Sequence, residues 1–262
     1  MQKSGYFLGF LVNVDSTIIK VKLDHGFKIE AVQRDYAIEL RSSLEQCSKS
    51  DAFRQMLLEE YAENEDVYII RKSFRYDEMT GLSALSFARQ YIQDYLENIL
   101  KLMVLFKEGG IYMPRYYIRL DPGDSPNGLG GVNAPVYSLQ KFTINESEIA
   151  PLESFLRKTI LPFNKPFIQL AFDALIESYT FRNRDRALSF VLLVTGLEIL
   201  FSDNLNIRGK DQIIAKRVSN IIGGSVEDKR KIRNEIVKLY KKRSNIIHNG
   251  DFNAADANKG EG

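Results

Sequence analysis

The sequence predicts an α+β N-terminal domain followed by an all-α, helical-bundle C-terminal domain, and three observations carry that prediction. Short runs rich in β-branched and aromatic residues recur as far as Ile144, mixed with segments of helical spacing. Beyond Pro166 there is little strand signal and no further proline before Gly250. The change of character falls within Asn145–Asn164. The chain therefore reads as residues 1–145 (α+β), 146–165 (connecting helix and linker), 166–250 (helical) and 251–262 (a tail of disordered composition).

Taken in order, Phe7–Asn13, Thr17–Leu23 and Phe27–Ala31 read as strands, with Asp24-His25-Gly26 as a tight turn between the last two. Asp35–Cys47 and Asp51–Tyr61 have the spacing of short amphipathic helices. Val67–Phe74 is the next strand, Leu82–Phe106 a long helix, and Ile111–Leu120 a further strand. Asp121–Pro135 holds three Pro and four Gly in fifteen residues and reads as a loop, with Val136–Ile144 as a last strand. Asn145–Ile160 opens on a cap-like Asn-Glu-Ser-Glu and reads as a helix. Four helices follow: Pro166–Phe181, Asn183–Ser202, Lys210–Ile222 and Val226–His248. Gly223-Gly224 separates the last two, and Asn249-Gly250 stops the final one.

At 262 residues the chain can bury a sizeable core in one or two domains. One cysteine, Cys47, excludes an intramolecular disulfide and fits a reducing cytoplasm. The apolar stretch Gly5–Val12 is closed by Asn13 and Asp15 and reads as a buried strand rather than a signal peptide. No apolar run is long enough to span a bilayer, so no membrane partner is expected. The net charge of +2 is unevenly spread. Leu205–Gly250 carries twelve Lys and Arg against four Asp and Glu, the footprint of a polyanionic partner or of a solvated basic helix face.

Several candidate sites fall away. Asn127-Gly128-Leu129-Gly130-Gly131 lacks the Lys-Ser/Thr of a phosphate-binding loop, and Asn133 stands where a dinucleotide fingerprint needs its third glycine. Two histidines and one cysteine without clustered spacing give no zinc site, and no cofactor is implied. His25 sits in a turn, where a backbone role is the default. There remains Tyr240-Lys241-Lys242-Arg243-Ser244-Asn245-Ile246-Ile247-His248-Asn249-Gly250. A guanidinium that grips a phosphate and an imidazole that moves a proton suffice in principle for metal-free RNA cleavage. Residues five apart lie roughly 140° from each other on an ideal helix. Arg243 and His248 therefore meet at one phosphate only if the helix loosens at its end or two copies come together. The alternative is a histidine that complements the helix dipole beside an unrelated basic face.

The pattern Tyr240-x-x-Arg243-Ser244-x-Ile246-Ile247-His248-x-Gly250 resembles the signature of the HEPN family (higher eukaryotes and prokaryotes nucleotide-binding), most closely its Apea-like branch. That motif is an Arg, a polar residue and a His, with four to six residues between Arg and His. The segment Arg186–Phe201, with Leu197-Glu198-Ile199-Leu200-Phe201, resembles the family's earlier helix, and Ile214–Val218 its middle helix. The resemblance covers Pro166–Gly250. It implies a helical bundle that dimerises and places two such motifs around one cleft. It also implies a metal-independent endoribonuclease, cytoplasmic, of the toxin–antitoxin or anti-phage defence kind, with a protein antitoxin or regulator as a further partner. Carried over, His248 serves as general base or acid and Arg243 neutralises the phosphorane. Ser244 and Glu198 support them, while Arg233, Tyr240, Lys241 and Lys242 contact RNA. The alternative is a non-catalytic module of the same kind that binds nucleic acid, nucleotide or protein. Family members usually continue into a further helix, whereas only Asp251–Gly262 remains here, so the chain is expected to be truncated or a shortened member.

Overall fold

Five strands, β1 (Gln2–Val12), β2 (Lys28–Val32), β3 (Val67–Asp77), β4 (Tyr112–Leu120) and β5 (Asn127–Val132), form one antiparallel sheet in the order β2-β3-β1-β4-β5. The computed structural model describes residues 2–44, 55, 66–77, 81–120, 127–132, 140–159, 165–182, 184–201 and 209–250. The chain divides into two compact units, Met1–Ile160 and Leu161–Gly262.

β1 shows why its sequence does not alternate. Phe7, Leu8, Phe10 and Leu11 are all at most 5% exposed, because both faces of this central strand are covered. On one face Leu8, Phe10, Val67, Ile69 and Tyr117 pack against Ala37, Ile38 and Leu44 of helix α1 (Arg34–Leu44). On the other, Leu11, Ile29, Ile70 and Met113 line a small apolar cavity with Leu96, Ile99, Leu100 and Met103 of α2 (Gly81–Phe106). Pro114 lies in β4 where the register against β1 shifts between Phe10 and Val12, a place where a missing N–H is tolerated.

Three expectations fail in this unit. Thr17–Leu23 is not a strand, since Ser16–Lys20 forms a 3-10 turn. The Asp15 carboxylate accepts the Thr17 N–H at 3.0 Å, and this local cap outweighs the β-branched run Thr17-Ile18-Ile19. The glycine-rich stretch read as a loop contains β5, whose backbone pairs with β4 from Ile118↔Asn127 to Met113↔Val132. An edge strand needs only main-chain groups to pair, so poor β-propensity does not exclude it. In Val136–Ile144 the described residues make only an isolated parallel bridge, Val14↔Phe142, with Phe142 fully buried. Helix Asp51–Tyr61 lies outside the described residues apart from Gln55, as does the tail 251–262.

Helix α3 (Glu146–Lys158) starts where its cap predicts, with the Glu148 carboxylate accepting the Asn145 N–H at 2.8 Å. Lys107 pairs with Glu148 at 2.7 Å and Phe106 packs on Phe155, so this helix belongs to the first unit.

The second unit holds α4 (Pro166–Phe181), α5 (Arg186–Phe201), α6 (Lys210–Ile222) and α7 (Val226–Asn249). Local signals set these ends. Pro166 occupies the first turn of α4, Ser225 and Asp228 form a capping box on α7, and Gly250 ends α7 at φ 63°. α4 and α5 approach closely at Gly196, where an added Cβ would lie 3.3 Å from the Ala171 carbonyl oxygen. The core joins Val194 of α5, Ile214, Ala215 and Val218 of α6, and Ile236 and Tyr240 of α7. Among the described residues no helix is long and apolar enough to cross a membrane.

Candidate functional site

The core side of α7 is a stripe of Ile232, Ile236, the adjacent pair Leu239 and Tyr240, and Ile246. Arg243 falls on the same stripe, so its guanidinium enters the unit from within rather than from solvent. Nη1 donates to Glu198 Oε1 at 3.0 Å, joining segments 45 residues apart. The other oxygen of Glu198 lies 3.1 Å from Lys210 Nζ, in the first turn of α6. Glu198 is 7% exposed on a helix that is otherwise uncharged from Ala187 to Phe201. A carboxylate so placed is costly unless paired, and here two cations from two other helices hold it.

Tyr240 completes the cluster. Its hydroxyl is buried and makes no hydrogen bond, as does Arg243 Nε. Burial pushes its ionisation well above the usual tyrosine range. The negative charge of Glu198 adds to the rise, while Arg243 opposes it. The side chain therefore stays a neutral phenol through the physiological range.

The two residues assigned to catalysis do not converge within one chain. His248 is exposed in the last turn of α7, on the side away from the core stripe, while Arg243 points inward with a quarter of its side chain exposed. The structure brings Glu198 and Arg243 together. Ser244 and Lys241 are exposed, and Arg233 is half-buried with its Nε unpaired. Lys242 is half-buried with its ammonium 5.3 Å from the centre of the Phe190 ring. Tyr240 requires a correction. At 9% exposed and inside the core cluster it offers no face for stacking a base, because the helical spacing that places Ile236 inward places Tyr240 inward too. Lys210 was missed by sequence reasoning. The one available signal was Glu198 itself, a single charge in an apolar helix that must find cationic partners.

Among the described residues no group of three or more His, Cys, Asp and Glu side chains is placed to hold a metal. Comparison with protein families, curated proteins and solved structures gives no match to this chain.

Proposed function

We propose that the protein is a metal-independent endoribonuclease of the HEPN type, acting in the cytoplasm as a toxin or anti-phage defence effector. The observation that carries the reading is the Glu198–Arg243 contact. The resemblance gives Glu198 a supporting place on the earlier helix, and its buried carboxylate holds the guanidinium of Arg243 on α7. In the reaction, His248 takes the proton of a ribose 2′-hydroxyl, the 2′-oxygen attacks the adjacent phosphorus, and the 5′-oxygen departs with a proton. The products are a 2′,3′-cyclic phosphate and a free 5′-hydroxyl. Arg243 neutralises charge on the equatorial oxygens as the phosphorane forms. Since Arg243 and His248 diverge by roughly 140° on one helix, the working site draws on a homodimer, with one copy's Arg243 beside the other's His248. A second reading, an RNA-binding module without turnover, is favoured by the same divergence.

Incubation with labelled single-stranded RNA and tRNA in EDTA decides between them. Wild type should yield cyclic-phosphate ends, and His248→Ala should slow cleavage by about a hundredfold or more while RNA affinity is largely kept. Arg243→Ala should weaken both. Binding without cleavage by the wild type would select the module reading, and undiminished cleavage by His248→Ala would end the assigned role.

A further inference from the structure

The sheet of the first unit has one face only partly covered. α2 packs on one side; on the other, the described residues place α1 against Leu8, Phe10, Val67, Ile69 and Tyr117, while Ser4, Arg71, Ser73 and Arg75 are exposed. Register fixes which side chains share that face. Tyr6 pairs with Ser73 and Arg119, Ser4 with Arg75, Leu8 with Arg71, and Arg71 with Lys28. Phe10 pairs with Arg115, further along the same face. Directly paired residues in antiparallel strands point to the same side, so five cations on three strands share this face with Tyr6: Arg119 pairs with it, Arg71 and Arg75 stand diagonally across β3, and Lys28 and Arg115 lie further out. Lys28, Arg71, Arg75 and Arg115 are exposed, and Arg119 and Tyr6 are half-buried. Glu30, 2.7 Å from Arg71, and Asp77, paired with Gln2, are the carboxylates among the described strand residues of this face, two against five cations.

The asymmetry is not a by-product of a basic unit. Residues 1–160 contain 19 Lys and Arg against 22 Asp and Glu, so the unit is net acidic while this face is net basic. A merely solvated face interleaves both signs. Two residues along a strand advance about 6.7 Å, and strands lie about 4.8 Å apart, so Arg71 to Arg75 spans about 13 Å. That length suits a few nucleotides of extended backbone.

We infer that this open sheet face is a docking surface for single-stranded RNA, with Lys28, Arg71, Arg75, Arg115 and Arg119 contacting phosphates around a base stacked on Tyr6. A single strand fits better than a duplex, because a ring between cations is useful only to a base released from its stack. The choice of RNA over DNA rests on the nuclease reading; the surface itself does not.

The test uses the full chain in EDTA and a fluorescein-labelled, 2′-O-methylated 12-mer, which cannot undergo 2′-hydroxyl attack. Binding is thereby read apart from cleavage, and failure of the nuclease reading leaves the readout intact. Arg71→Gln/Arg75→Gln should weaken anisotropy-detected binding by about tenfold and flatten the log affinity–log salt slope by about 1.4, two phosphate contacts' worth on a single strand. Tyr6→Leu should weaken binding by about tenfold with the slope unchanged. Circular dichroism checks that the variants fold, and Arg75→Gln alone, with about half the slope change, serves if the double variant does not. Wild-type affinity in these variants, no binding by the wild type, or preference for DNA of the same sequence would each overturn the inference.

Discussion

Arg243 in the helical unit lies against a carboxylate that is 7% exposed, whereas Arg71 and Arg75 in the sheet unit are exposed, Arg71 beside the partly exposed Glu30. The unit with the surplus of positive charge, 17 Lys and Arg against 12 Asp and Glu in residues 161–262, turns its conspicuous arginine inward. The net-acidic unit displays Arg71 and Arg75, although it buries Arg41 and Lys101. Net charge along a chain therefore does not locate an anion-binding surface. What decides is whether each cation already has a buried partner, because a guanidinium held by a carboxylate serves geometry first and attraction second.

The largest effect that sharpens this contrast is expected at Glu198. Glu198→Gln leaves Arg243 and Lys210 partly buried without their anion, and urea unfolding should show a loss of about 2–4 kcal/mol. The charge-removing substitution Arg75→Gln should cost less than about 0.5 kcal/mol. Equal costs would erase the distinction between buried and displayed charge. A smaller effect, of opposite sign, belongs to Tyr240. Tyr240→Phe removes a buried hydroxyl without a hydrogen bond and should be neutral or stabilising by up to about 1 kcal/mol. The wild-type phenol, whose ionisation is raised on folding, contributes stability that is complete below pH 10 and is lost as pH rises further. The variant should lack that alkaline decline.

The subtlest test sets one helix cap in each unit side by side. Backbone hydrogen bonding from Asn145, with Lys107, holds Glu148 below its ordinary 4.5, and hydrogen bonds from Ser225 hold Asp228 below 3.8. Both carboxylates support folding above those values and lose that contribution as pH falls through their lowered folded-state values. Glu148→Gln and Asp228→Asn should each flatten the acid limb of stability, measured by circular dichroism between pH 2 and 5.

The helical unit was far more legible in the sequence than the sheet. Pro166, Ser225, Gly223 and Gly250 act within a few residues of themselves, so α4, α6 and α7 end where local chemistry ends them. β5 is stabilised by β4, a partner its own glycines do not advertise, and Ser16–Lys20 was misread because a cap at Asp15 outweighs β-branched propensity. At the candidate site, Arg243 was legible as part of a motif and Glu198 as an acidic position of the earlier helix. That Tyr240 is buried and His248 faces away follows from which face of α7 meets the core, and the eleven-residue motif alone does not fix that face.

The position of β1 at the centre of the sheet sets an order on assembly. Its partners lie at residues 67–77 and 112–120, so Phe7, Leu8, Phe10 and Leu11 remain without a flanking strand on one side until residue 120 has been synthesised. The helices of the second unit join segments close in sequence and can form quickly once made, while the sheet must close long loops first. An apolar strand that precedes both of its partners is a segment a nascent chain needs shielded, which makes β1 a place where expression of this protein is exposed to aggregation and to chaperone dependence.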